Sequence, residues 1–226
     1  MRPSIKEIAK TLRRLPVAEL STPTVAMVGA PNVGKSSLVR VLSSGTPEVQ
    51  NYPFTTRGVK MGHFFIDTKR HVVTDTPGLL WRPDDDRNKI ERLALATLEH
   101  LPTCVVFVTD LTGLCGTSVA DQMNIRADLY KRFAGRRPWL DVMSKSALVP
   151  ALGGDLSPDI GELWTAADEE ESARVVQMLT AEGALAVSAG EDLGVDLLKG
   201  LITEVLIKHR DTLEDSDTFQ AYDPGF

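Results

Sequence analysis

Eight consecutive residues, Gly29-Ala30-Pro31-Asn32-Val33-Gly34-Lys35-Ser36, have the types and spacing to hold the phosphates of a nucleotide. A glycine-rich turn lets main-chain N–H groups between Gly29 and Lys35 wrap a β-phosphate. A helix beginning there adds its positive N-terminal end. The Lys35 ammonium would neutralise β- and γ-oxygens, and the Ser36 hydroxyl would ligate magnesium. Thr24-Val25-Ala26-Met27-Val28 reads as a buried strand before the loop, and Ser36 to Leu42 as a helix after it.

Two further segments fit the same chemistry. Asp75-Thr76-Pro77-Gly78 follows a short apolar run. A carboxylate there can reach magnesium through water, and the Gly78 N–H can meet a γ-phosphate because no side chain blocks its approach. Between the two lies Asn51-Tyr52-Pro53-Phe54-Thr55-Thr56-Arg57. A threonine of this loop could coordinate magnesium and sense the γ-phosphate; equally, Thr55 and Thr56 read as ordinary strand-entry threonines.

These segments need a scaffold, and the pattern around them alternates strand and helix. Val59 to Ile66 and Val72-Val73-Thr74 read as strands joined by a tight turn at Asp67–Arg70, and residues 43–57 as an exposed loop. Asp75 to Asn88 reads as a second long loop, with a helix from Lys89 to His100. Cys104 to Val108 is fully apolar, the mark of a strand covered on both faces. Thr117/Ser118 cap a helix reaching about Phe133. Pro138 to Met143 and Leu185 to Val187 are strands, Glu169 to Leu179 and Leu193 to Lys208 helices, and 150–166 irregular. The fold class is α/β: a three-layer P-loop NTPase with a mostly parallel sheet, one antiparallel strand, and a ligand at the carboxyl ends of the strands.

Composition narrows the partners. The chain of 226 residues is 42% hydrophobic with a formal net charge of −6. No apolar run reaches membrane-spanning length, so a membrane is excluded as a partner. No basic field exists to grip DNA, and any RNA contact would be local or shared with protein. Cys104 and Cys115 are too few for a disulfide framework and read as buried, reduced thiols. The four histidines, His63, His71, His100 and His209, have no metal-ligand spacing.

The motifs 29–40, 51–57, 75–80, Asp86-Arg87-Asn88-Lys89-Ile90-Glu91 and Cys115-Gly116-Thr117-Ser118 together resemble the nucleolar GTP-binding protein (Nog) family. That family is related to the Obg branch of translation-factor-class GTPases. The resemblance implies GTP/GDP and Mg²⁺ as ligands. It also implies GTP hydrolysis coupled to assembly of the large ribosomal subunit, with rRNA, ribosomal proteins and other assembly factors as partners. By position, Lys35, Thr56, Asp75 and Gly78 are the implied catalytic residues, with Thr55 the alternative switch threonine. Gly29, Ala30, Pro31, Asn32, Val33, Gly34, Lys35, Ser36 and Ser37 would bind nucleotide. Ser36, Thr56 and Asp75 would hold magnesium, and Asn32 stands where potassium-dependent relatives help hold K⁺. The compartment implied is the nucleolus, with a plastid or mitochondrion as the alternative.

The chain departs from the family in three places. Leu79 replaces the water-orienting glutamine that Ras-like enzymes place after the glycine, so intrinsic hydrolysis should be slow. The guanine-reading motif, ordinarily ending in aspartate, is Ser144-Lys145-Ser146-Ala147. Lys145 can still lie along the base, and the Ser188-Ala189 backbone could meet guanine O6, but Ala147 accepts no hydrogen bond. Two alternatives therefore stand beside the GTPase assembly factor: an NTPase with relaxed base specificity, and a low-turnover scaffold on a pre-ribosomal particle. Finally, residues 1–16 read as the remnant helix of a truncated N-terminal helical domain. Residues 17–23 read as a linker, 24–209 as the G domain and 210–226 as an acidic flexible tail without the family's basic extension. In the 75–88 loop, Asp84-Asp85-Asp86 reads as solvated, Trp81 as exposed beside Leu79 and Leu80, and Arg82, Arg87 and Asn88 as contacts for RNA or a protein.

Overall fold

A computed structural model describes residues 24–46, 48–51, 58–100, 103–155 and 166–209. The helix expected near the N-terminus, the linker 17–23, the tail 210–226 and the loop residues Thr55 and Thr56 lie outside the described residues.

Seven strands form one sheet in the order β2-β3-β4-β1-β5-β6-β7. They are β1 (Thr24–Val28), β2 (Glu48–Asn51), β3 (Gly58–Ile66), β4 (Lys69–Asp75), β5 (Thr103–Asp110), β6 (Trp139–Ser144) and β7 (Leu185–Ala186). Only β3 runs against the rest, pairing antiparallel with β2 and β4. The three-layer α/β arrangement is the one its sequence pattern predicts. Every residue of β1 and β5 is buried, and their central runs, Val25–Val28 and Cys104–Val108, are apolar, as the middle of a parallel sheet demands.

The helices are α1 (Lys35–Leu42), α2 (Lys89–His100), α3 (Val119–Phe133), α4 (Ala166–Ala181) and α5 (Val195–Lys208). Helix α1 buries Leu38, Val39 and Leu42, one stripe at helical spacing, into the main core. On α3 the stripe is Val119, Gln122, Ile125, Leu129 and Phe133, and the Ser118 hydroxyl caps it by accepting from the Asp121 N–H at 3.1 Å. A second apolar cluster joins Met143 of β6 to Leu179 of α4, with Leu111 and Val149 from the loops.

The expected exposed loop 43–57 is corrected at Glu48–Asn51, which forms an edge strand against β3, in register Glu48↔Met61 to Asn51↔Gly58. Pairing to the next strand supplies what the composition of this segment does not. The β3–β4 turn is tighter than expected: Asp67 and Thr68, with φ of 47° and 69°, form a two-residue reversal that allows β4 to start at Lys69.

The topology positions the site. Strand β1 lies between β4 and β5: the chain lays β2, β3 and β4 on one side of it and β5, β6 and β7 on the other. Ligands of open parallel sheets sit outside the carboxyl ends at such a reversal. Those ends deliver Gly29 after β1, Asp75 on β4, Asp110 on β5, Ser144 on β6 and Ser188 after β7.

Candidate nucleotide site

At the centre, Lys35 is buried, its Nζ donating to Gly29 O at 3.2 Å and Ala30 O at 2.5 Å. Burial lowers its pKa to about 8, and attraction to the Asp75 carboxylate partly offsets that fall. Gly34 ends the loop in the left-handed conformation, and no side chain caps α1. The first N–H groups of the helix therefore remain available to an anion. Asn32 is exposed at the loop crest with φ of 59°.

Ser36 and Asp75, 39 positions apart, meet: the Ser36 hydroxyl donates to Asp75 Oδ2 at 2.5 Å. Strand pairing aligns them, because Asp75 lies in register with Met27 just before the loop. A hydroxyl and a carboxylate are hard oxygen donors that suit Mg²⁺, which takes few protein ligands and completes its octahedron with phosphate and water. Among the described residues, no cluster of three or more His, Cys, Asp or Glu could hold a metal by itself.

The segment after Asp75 is fastened to the loop. Both the Thr76 N–H and its hydroxyl donate to Met27 O, at 3.3 and 2.7 Å, and the Leu79 N–H donates to Gly29 O at 3.1 Å. Gly78 lies so close that a Cβ there would sit 2.6 Å from Pro31 N. A glycine is thus demanded by contact between the two motifs, an additional reason to the open approach expected from sequence.

Leu79 is fully buried, whereas Leu80 and Trp81 are exposed beside it. The contact role expected for Arg87 and Asn88 is corrected. Arg87 is buried and pairs with Asp84 and with Asp128 of α3, each at 2.9 Å. Asn88 caps α2 through a reciprocal pair: its Oδ1 accepts from the Glu91 N–H and its N–H donates to Glu91 Oε2, each at 2.9 Å. Asp84-Asp85-Asp86 is exposed, as expected for a solvated run. It forms a 3₁₀ turn, and Asp84 accepts from Arg132 at 2.8 and 3.1 Å.

Glu91 takes a role that its place in the motif 86–91 does not by itself assign. Buried at the start of α2, its Oε1 accepts from the Leu80 N–H at 3.1 Å and lies 3.5 Å from Arg82 Nε. The Asn-x-x-Glu spacing before an apolar run was the available signal.

At the base end, Ser144 donates to Val33 O at 2.6 Å and lies 3.1 Å from Thr109 O, tying β6 to the phosphate loop. Lys145, in the left-handed conformation, places Nζ 2.6 Å from Asp110 Oδ2. Asp110 is completely buried; its Oδ1 accepts from the Thr112 N–H and hydroxyl at 2.8 and 2.6 Å. Gln122 of α3 brackets its backbone from both sides, accepting from the Asp110 N–H and donating to its carbonyl at 2.8 Å each. Asp110 was missed, although a charge closing an all-apolar strand marks a residue with a fixed partner.

Ser146 N–H donates to Val187 O at 3.2 Å and brings Ala147 beside Ser188-Ala189. The Ser188 N–H, one of the two expected to meet a base carbonyl, is instead spent on Leu193 O at 2.9 Å. Cys104 and Cys115 are buried free thiols, and burial pushes the Cys104 pKa up to about 12. No helix among the described residues is long and apolar enough to cross a membrane.

Comparison with known proteins finds similar chains and a shared fold. The profile of the nucleolar GTP-binding protein 1 family matches residues 89–147, and that of ferrous iron transport protein B matches 23–116. A nucleolar GTP-binding protein 1 of Encephalitozoon cuniculi is 32% identical over 206 residues, covering 91% of this chain and 36% of the relative. One from Arabidopsis thaliana is 33% identical over 192 residues, covering 81% and 28%. The chain thus spans about a third of the length of these relatives. Among solved structures, a Plasmodium falciparum protein described as nucleolar GTP-binding protein 1 superposes with a TM-score of 0.60 at 26% identity, covering 87% of this chain and 92% of that one. The G domain of the Thermotoga maritima FeoB iron transporter shares the fold, with a TM-score of 0.56 at 19% identity and coverage of 81% and 98%. In fold and motif order the described domain is thus similar to the G domains of the nucleolar GTP-binding protein 1 family.

Proposed function

We propose that the chain binds and hydrolyses GTP as a nucleotide switch in assembly of the large ribosomal subunit, working with rRNA, ribosomal proteins and other assembly factors in the nucleolus. The observation that carries the enzymatic part is the meeting of Ser36 and Asp75 beside buried Lys35. The nucleolar and GTP-binding names of the relatives support the setting.

In this reading the loop amides of 29–35 bind the β-phosphate, and the Lys35 ammonium leaves Ala30 O for the β/γ oxygens. Ser36, Asp75 and Thr56 hold the magnesium ion, which when bound neutralises charge developing on the phosphates. Asn32, at the loop crest, would help hold K⁺ beside them. The Gly78 N–H and the Lys35 ammonium stabilise the γ-phosphoryl group while water attacks in line. Buried Leu79 supplies no group to orient that water, so turnover is slow until K⁺ or a partner assists. In the same reading, residues 24–209 form the G domain.

A titration with GTP, GDP, ATP and ADP under fixed Mg²⁺ and K⁺ tests the binding reading. Guanine nucleotides should bind at least tenfold tighter (about 1.4 kcal/mol). Equal affinity would favour the second reading, an NTPase with relaxed base choice, for which Ala147 speaks. The assembly role predicts that folded Lys35→Ala protein stalls large-subunit precursors; normal maturation with it would defeat that role.

A further inference from the structure

The base end lacks the side chain that chemistry asks for. Guanine presents two neighbouring donors, N1–H and the 2-amino group, and a carboxylate with two oxygens is the side chain that accepts both. At the position where strand β6 runs out toward the base stands Ala147.

The chain then does something specific. Two 3₁₀ turns, Ser146–Leu148 and Pro150–Leu152, are followed by Gly153 at φ of 80°, which reverses its direction. The reversal returns the backbone to Ala147: the Asp155 N–H donates to Ala147 O at 3.0 Å. Gly154 makes this approach possible, since a Cβ there would lie 2.5 Å from the Ala147 carbonyl carbon and oxygen and 2.6 Å from Ser146 O. A main-chain hydrogen bond of that length sets neighbouring backbones about 4.8 Å apart, the spacing of paired strands.

Asp155 therefore stands beside Ala147, and Ser146 N–H on Val187 O holds the same turn against Ser188-Ala189. Asp155 is exposed, and its carboxylate has no hydrogen-bond or ion-pair partner among the described residues. A compact turn, tied at both ends, delivers an uncommitted carboxylate to the place where one is missing. We propose that Asp155 is the specificity-determining residue for the base, accepting from guanine N1–H and the 2-amino group in place of residue 147. This rests on the guanine reading above.

The test uses the full chain with diphosphates, which avoids hydrolysis: GDP, IDP (no 2-amino group), XDP (a carbonyl at that position) and ADP, each titrated calorimetrically with Mg²⁺. The unaltered protein should favour GDP over IDP and ADP by roughly tenfold or more, the worth of a hydrogen bond to a charged group. Asp155→Ala should bring GDP to within a few-fold of IDP and leave ADP unchanged, the ADP affinity reporting an intact fold. Asp155→Asn should turn preference from GDP to XDP, because an amide N–H can donate to the xanthine carbonyl. Adding Ala147→Asp to Asp155→Ala should restore GDP preference. If the unaltered protein favours GDP and Asp155→Ala keeps that preference, the proposal is overturned while the guanine reading stands. Loss of preference instead in Glu191→Ala or Asp192→Ala, the nearby exposed acids after Ala189, would also overturn it. Equal GDP and ADP affinity in the unaltered protein would remove the guanine reading itself, and the proposal with it.

Discussion

The two ends of the nucleotide cleft are built on different plans. At the phosphate end, two short motifs, 29–36 and 75–78, supply the contacts: Lys35 on Gly29 and Ala30, Ser36 on Asp75, Gly78 against Pro31. At the base end, each residue is placed by something far along the chain: Ser144 by Val33, Lys145 by Asp110, Ser146 by Val187. The first plan tolerates little change, since one substitution removes a ligand of the phosphates. The second spreads the same task over separate loops, so the residue at 147 can be lost while its neighbours still frame a pocket.

That contrast can be broken in order of expected effect. Lys35→Ala should weaken GDP and GTP binding roughly 100-fold, through lost charge-assisted hydrogen bonds; calorimetric titration reads it. An unchanged affinity would mean that the phosphates sit elsewhere. Gly78→Ala should cost about 2 kcal/mol of thermal stability, because the added methyl must displace Pro31. A variant melting with the unaltered protein would show that the two motifs separate freely. Asp110→Asn keeps the shape but uncouples Lys145, and nucleoside diphosphates should bind roughly tenfold weaker. Inorganic pyrophosphate should bind as before. Equal losses for both would place Asp110 with the phosphates and erase the distinction.

How far the sequence carried this reading follows the same division. The phosphate loop, the buried strands β1 and β5 and the Asp75–Gly78 motif were legible because their signals are local: apolar runs, fixed glycines, a lysine at a set offset. Edge strand β2 was not, since Glu48–Asn51 owes its conformation to β3. Arg87 looked free because its partner Asp128 lies 41 residues away, and Asp110 passed unnoticed because Lys145 lies 35 residues on. Ion pairs closed across the fold leave no mark in periodicity.

The smallest effect expected concerns the link between the Asp75–Asn88 segment and α3. Arg132 holds the Asp84 carboxyl below its ordinary value of 3.8. The pair therefore contributes fully above that pH and is lost only as pH falls through the lower value in the folded protein. Being exposed, it should contribute no more than a few tenths of a kcal/mol. An NMR titration of Asp84 should show its midpoint rise toward the ordinary value in Arg132→Ala; an unmoved midpoint would assign the shift to Arg87.

Leu79 bears on time as well as on place. A side chain sealed in the core, with its N–H on Gly29 O, cannot swing out to govern the attacking water. Under the proposed function, the chain then keeps no clock of its own. The span from loading to release is set by the K⁺ or the partner that assists the reaction, and an assembly step timed by a partner ends when that neighbour arrives.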